Sequence, residues 1–170
     1  MTIHSTVDLV TRTGFRFAVR PAAETDDAAL KDFFGHVTKD DLRFRFLSAI
    51  QRVSDKQISD MTHVDHRQTE DFLVFASDTQ QMIANAMLAA DKTMTTAEVA
   101  LTVHSDFKGK GIESALLDYV SKAAKARGIK KLQAIESREN HCMIELERDM
   151  GFIAKGIDND PMLVMLEATL

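Results

Sequence analysis

Ala97-Glu98-Val99-Ala100-Leu101-Thr102-Val103-His104 runs into Ser105-Asp106-Phe107-Lys108-Gly109-Lys110-Gly111-Ile112-Glu113 and then into the clearest helix of the chain. The first stretch is short, apolar and β-branched, which reads as a strand. Residues 111–127 then place Ile112, Leu116, Tyr119, Val120 and Ala123 on one helical stripe, with Gly128 as the stop. Between strand and helix, Gly109 and Gly111 let backbone N–H groups come close to a ligand. The helix aims its positive end at the same spot, and Lys108 and Lys110 add charge. A loop of this kind suits an anion, most usefully a pyrophosphate; it is also a turn that needs glycine for its backbone angles alone.

Outward from this point the pattern is consistent. Phe15, Phe17 and Val19 alternate with Arg16, Ala18 and Arg20, a strand stopped by Pro21. Thr25-Asp26-Asp27 supplies cap-type side chains ahead of Ala28, Leu30 and Phe33-Phe34, an amphipathic helix. Residues 39–50 and 54–63 read as two short helices, the first carrying Leu42, Phe46 and Ile50 and the second capped by Ser54. Asp71 to Ser77 and Met82 to Ala90 form a hairpin about residues 78–81, and Ala97 to His104 is the next strand. Leu132 to Ile135 is a strand, Asn140 to Met150 a helix, and Phe152 to Ala154 and Leu163 to Glu167 closing strands. Residues 1–14 read as a loose, polar lead-in. The order β-α-α-α-β-β-β-α-β-α-β-β is that of an α/β (α+β) protein with a mixed, mostly antiparallel sheet of about seven strands and helices on both faces.

The chain has 170 residues, 45% hydrophobic and 28% charged, as expected for one domain over residues 1–170. Surface scaling gives about 70% of the unfolded surface buried on folding. Lys plus Arg number 21 against 26 Asp plus Glu, a net charge of −5, which argues against nucleic acid as a partner. No apolar run approaches the roughly 20 residues of a membrane span, and Met1-Thr2-Ile3-His4-Ser5 does not resemble a signal peptide. No membrane partner and a cytoplasmic location are the expectations. Cys142 is the one cysteine, so a multi-cysteine metal site is excluded. It reads as a small packing residue on its helix. His63, Asp65 and His66 lack an obvious further ligand, and no metal is expected.

The segment from Ala97 to Phe152 resembles the acetyl-CoA core of the GNAT N-acetyltransferase superfamily, which carries Gln/Arg-x-x-Gly-x-Gly/Ala between its fourth strand and third helix. Ala115-Leu116-Leu117, Ala126-Arg127-Gly128-Ile129, Glu139-Asn140 and Met150-Gly151-Phe152 continue the likeness, and Arg20-Pro21 matches an early strand end. Asp41-Leu42-Arg43-Phe44-Arg45-Phe46 and Ala97-Glu98-Val99-Ala100-Leu101 are similar to the protein-lysine acetyltransferases that modify acetyl-CoA synthetase. In that subgroup lysine also stands at the first motif position. The resemblance implies acetyl-CoA as cosubstrate and a primary amine as acceptor, a protein lysine first and a small amine second. Lys108, Gly109, Lys110, Gly111, Ile112 and Glu113 would hold the pyrophosphate, Leu101 and Val103 the thioester and pantetheine, and Asn140 the pantetheine, unless Asn140 only caps its helix.

Glu98 is the candidate general base. A lysine amine has a pKa near 10.4 in water and must lose a proton to acylate, and a strand carboxylate can accept it. Glu98 stands ten residues before Lys108, a separation that histone-type and synthetase-type relatives use for their catalytic glutamate; otherwise it is a solvated residue at a strand start. Two positions depart from the pattern. Glu113 stands where the motif ends in glycine or alanine, either turned to solvent in the first helical turn or facing the phosphates. Glu147 replaces the tyrosine that many members place four residues before the glycine ending the last helix to protonate the thiolate. Both departures also fit a catalytically silent module that binds or senses acyl-CoA. The arginines of Asp41–Phe46 are expected to be exposed, with Phe44 and Phe46 packed, and Leu163 to Glu167 offers an edge through which two copies can pair as a homodimer.

Overall fold

A computed structural model describes residues 5–170. One eight-stranded sheet organises it: β1 (Val7–Val10), β2 (Arg16–Pro21), β3 (Thr69–Ala76), β4 (Met82–Ala90), β5 (Thr96–Val103), β6 (Lys131–Ser137), β7 (Ile153–Ile157) and β8 (Asp160–Thr169). The spatial order is β1-β2-β3-β4-β5-β6-β8-β7. Every neighbouring pair is antiparallel except β5 and β6. That parallel pair needs a crossover, which α4 (Ile112–Ala126) supplies.

Side-chain alternation on the strands feeds two cores. Phe17, Val19, Phe72, Val74, Ala84, Ala86, Leu88, Ala97 and Val99 meet Ile112, Leu116, Leu117 and Val120 of α4, and the partly buried Met143 and Leu146 of α5 (His141–Asp149) pack against them. On the other face Leu73 and Met82 meet α1 (Asp27–Phe34), α2 (Lys39–Phe46) and α3 (Asp55–Thr62) through Leu30, Phe33, Phe34, Leu42 and Ile58. Complete burial of side chains such as Leu116 and Ile58 contributes about 1.5–3 kcal/mol each relative to exposure.

Several expectations change. The lead-in contains a strand: Val7 to Val10 pairs with Arg16 to Val19, giving eight strands and not seven. Residues 1–4 of that lead-in lie outside the described residues. The helix expected over 39–50 ends at Phe46, because Leu47 takes the left-handed conformation (φ 53°). Asp26 does not cap α1. Its carboxylate instead accepts both arms of the Arg20 guanidinium at 2.8 Å and the Ala23 N–H at 2.7 Å, pinning the end of β2 to the entry of α1. Ser54 does cap α3, in a reciprocal pair with Gln57. Leu163 to Glu167 lies within β8, paired on both sides, so the sheet's edges are β1 and β7. No helix among the described residues is long and apolar enough to cross a membrane.

Candidate active site

The parallel ladder between β5 and β6 is short. Thr96, Ala97 and Glu98 pair with Lys131, Leu132 and Gln133, and the strands then part. Beyond Glu98, β5 keeps β4 as its partner and β6 keeps β8, so the backbone groups of each that face the gap are outside the ladder. A cavity of about 460 Å³ opens there. Leu101 and Val103 line one side and Ile135 and Glu136 the other, with α2 and α5 contributing Phe44, Arg45, Asn140 and Met143.

The turn into α4 closes one end. Gly109 (φ 78°) and Gly111 (φ 80°) both adopt left-handed backbone that a side chain would strain, and Gly111 is the N-cap of α4 without a side-chain cap. The first-turn N–H groups of α4 have no acceptor within the helix, which leaves them to an anionic ligand together with the helix dipole. Glu98, Leu101, Val103, Lys108, Gly109, Gly111, Glu113 and Asn140 all line the one cavity. Lys110 lies over the Phe15 ring, 5.7 Å from its centroid. Ile112 is fully buried in the core, so its side chain is structural. Glu113, half-buried, is among the residues lining the cavity. Lys108 is ion-paired with Asp41 of α2.

Asn140 occupies the N-cap position of α5 yet makes no cap; its Nδ2 donates to Glu136 Oε2 at 3.3 Å. Behind Glu136 lies Glu147, 1% exposed, in side-chain contact with it. Neither Glu147 oxygen receives a hydrogen bond from an N–H or hydroxyl donor. The two carboxyls can therefore hydrogen-bond only by holding a proton. Burial, with the Glu136 charge alongside, pushes Glu147 up to about 10. Burial also raises Glu136, opposed by hydrogen bonds from Glu147 and Asn140 and reinforced by the charge of Glu98.

On the α2 face, strand register aligns Glu98 with Ala89, Ala100 with Met87 and Asp71, and Thr102 with Asn85 and Leu73. Asn85 Nδ2 donates to Asp71 Oδ1 at 2.5 Å. Asp71 Oδ2, Asn85 Oδ1, Thr102 Oγ1 and Arg45 Nε are buried without partners. Burial pushes Asp71 up to about 8. Arg45 is half-buried with its Nε buried, beside Glu98 and Asp71, and not exposed as expected, while Arg43 reaches Glu139 at 2.9 Å. Phe46 packs on Phe34 with centroids 5.8 Å apart. Phe44 lines the cavity instead of the core.

Other candidates stand apart. Cys142 is exposed at the cavity rim, so it is not a packing residue. Tyr119 lies edge-on to Phe72, away from the cavity. His63 contacts Ser59 and Thr62, and His66 bonds Glu70 at 2.8 Å; among the described residues no group of three or more His, Cys, Asp or Glu is placed to hold a metal. Sequence reasoning missed the pairing of Asp41 with Lys108, the residues Asp71, Asn85 and Glu136, and the contact of Glu147. The available signal was a polar residue at an inward strand position, such as Glu136 after Leu132 and Ala134.

A model of the acetyltransferase (GNAT) family matches residues 36–152, which spans every residue lining the cavity and the glycine turn into α4. An acetyltransferase of Pseudomonas aeruginosa is 22% identical over 154 residues, 89% of this chain and 83% of that protein. The crystal structure of the GNAT domain of S. lividans PAT superposes with a TM-score of 0.90 at 28% identity, covering 100% of this chain and 99% of that one. Spermidine N-acetyltransferase from Vibrio cholerae, solved with CoA and spermine, shares the fold with a TM-score of 0.73 at 14% identity, over 90% of this chain and 95% of that one. With the glycine turn at the head of α4 and the parted strands beside it, the family match over most of the chain places this protein in the GNAT family of acetyltransferases.

Proposed function

We propose that the chain moves the acetyl group of acetyl-CoA to the side-chain amine of a protein lysine, with Glu98 accepting the amine proton. The observation that carries this reading is the position of Glu98. It is the last residue of the β5–β6 ladder, at the point where the strands part and the cavity begins. The pyrophosphate of the coenzyme would sit on the N–H groups of Gly109 to Glu113 and the positive end of α4. The pantetheine would run along β5 at Leu101 and Val103, with its thioester carbonyl polarised by backbone N–H freed where the ladder ends. The amine nitrogen attacks the carbonyl carbon, a C–N bond forms, Glu98 takes the proton, and the C–S bond breaks.

A protein acceptor is supported by the rim beside α2, where Leu47 is 40% exposed next to Phe44. An apolar lip of this kind suits a macromolecular surface better than a small polar amine. The spermidine enzyme shares only the fold and is no argument for its acceptor here. The test is intact-mass analysis of lysine-rich proteins and of spermidine incubated with acetyl-CoA and the enzyme. Acetylation of protein lysine at a higher kcat/KM than spermidine supports the reading. Acetyl transfer confined to small amines would reassign the acceptor, and none to any amine would favour a silent coenzyme-binding module.

A further inference from the structure

We propose that Glu136 is the general acid that protonates the departing coenzyme A thiolate, with Glu147 and Asn140 as the positioning residues that hold it. The inference rests on the reading of the cavity as the acetyl-transfer site. Its basis is a carboxyl where a strand would ordinarily place an apolar side chain. Leu132, Ala134 and Glu136 share one face of β6, and Glu136 is 8% exposed. Burying a carboxyl without a cation is costly, so such a group is kept where its proton is used.

The groups beside Glu136 are Asn140, at the N-cap of α5, and Glu147 of α5; Glu98 of β5 lines the same cavity, and the neighbour of Glu136 on β8 is the apolar Val164. Register puts Leu132 beside Ala97, so Glu136 projects from the opposite sheet face to Glu98. In the tetrahedral adduct the nitrogen and the sulfur are separate substituents of one carbon. A base on one face and an acid on the other can serve them without competing for one proton.

The step balances. The C–S bond breaks with its electron pair on sulfur, the Glu136 O–H bond breaks, and an S–H bond forms. The new Glu136 carboxylate accepts the O–H of neutral Glu147 and the Nδ2–H of Asn140. Water returns a proton to Glu136 and removes the one on Glu98, leaving amide and free thiol as the only net products.

The experiment reads thiol release with an Nα-blocked lysine amide as acceptor, for Glu98→Gln, Glu136→Gln, Glu147→Gln and Glu147→Leu, across a pH series. Thermal unfolding with and without coenzyme A reports folding and binding. Glu136→Gln should lower kcat by roughly 10²-fold at unchanged acetyl-CoA KM and erase the alkaline limb of the profile. Glu147→Gln, which keeps a donor toward Glu136, should leave that limb in place, while Glu147→Leu should move it upward. With acetyl-seleno-coenzyme A, whose selenol leaves without an acid, Glu136→Gln should recover most of the lost rate. An unchanged alkaline limb in Glu136→Gln, or equal losses with the thioester and the selenoester, overturns the proposal. Glu98→Gln keeps the two claims apart: it erases the acidic limb if the base reading holds, whatever Glu136 does.

Discussion

Lys108 of the turn into α4 is ion-paired with Asp41 of α2, and both line the cavity. The pair joins the turn proposed to hold pyrophosphate to the helix beside the proposed acceptor rim. Its ammonium is therefore already neutralised before any phosphate arrives. Asp41→Asn should free Lys108 for the coenzyme. Because the pair is partly exposed and worth about 0.2–1 kcal/mol, coenzyme A should bind up to roughly fivefold more tightly. Calorimetric titration measures this, and weaker binding in the variant would show that Asp41 positions Lys108 instead.

Glu113 lines the same cavity from the first turn of α4, close to where phosphate charge would collect. A carboxylate about 5 Å from a phosphate at an effective dielectric near 20 opposes it by about 3 kcal/mol, and screening reduces that figure at a half-exposed position. Glu113→Gln should lower the dissociation constant of acetyl-CoA by about tenfold at low salt, and by less as salt is raised. An unchanged constant at low salt would mean that the side chain swings away on binding.

Gly111 pairs a left-handed backbone with ordinary space: an added Cβ would meet only Thr11, at 3.6 Å. Gly111→Ala should therefore cost about 1–2 kcal/mol through backbone conformation and not through a clash. Urea unfolding measures that loss, and a near-zero effect would show that the turn relaxes without strain.

Stability should depend on pH through carboxyls kept neutral by burial. Asp71 is pushed up to about 8 and Glu147 up to about 10, both above their unfolded values near 4. The folded state then binds more protons, so this stability is complete below about pH 4 and is lost as pH rises through the folded values. The slope can reach about 1.4 kcal/mol per pH unit for each proton. Asp26, held below the usual carboxylate range by the Arg20 fork, acts oppositely and is lost only in acid. Melting temperature should fall from about pH 6 to about pH 9, less steeply in Glu147→Gln. Parallel curves for native and variant would exclude a proton on Glu147.

Most of this architecture was legible because its signals are local. Alternation in Phe15 to Val19, the stripe of Ile112, Leu116 and Val120, and the glycines before α4 each determine an element from a few neighbouring residues. Val7 to Val10 was missed because four residues give too short an alternation, and the strand is completed by its partner β2. The site divides the same way. Spacing and resemblance single out Glu98, Gly109, Gly111 and Asn140, and all four line the cavity. Asp71 and Asn85 come together only through the register of β3 and β4, Arg45 joins them only when α2 packs on that face, and Glu136 meets Glu147 only when α5 packs on β6. Such contacts depend on chain return over long separations, which no local pattern encodes.

The most direct test of acetyl transfer with Glu98 as the base is Glu98→Gln, with turnover and acetyl-CoA affinity measured on the same preparation. A fall in kcat of roughly 10²–10⁴-fold, restored in part at high pH, with unchanged acetyl-CoA affinity, is the predicted result. Equal turnover in native and variant would contradict it.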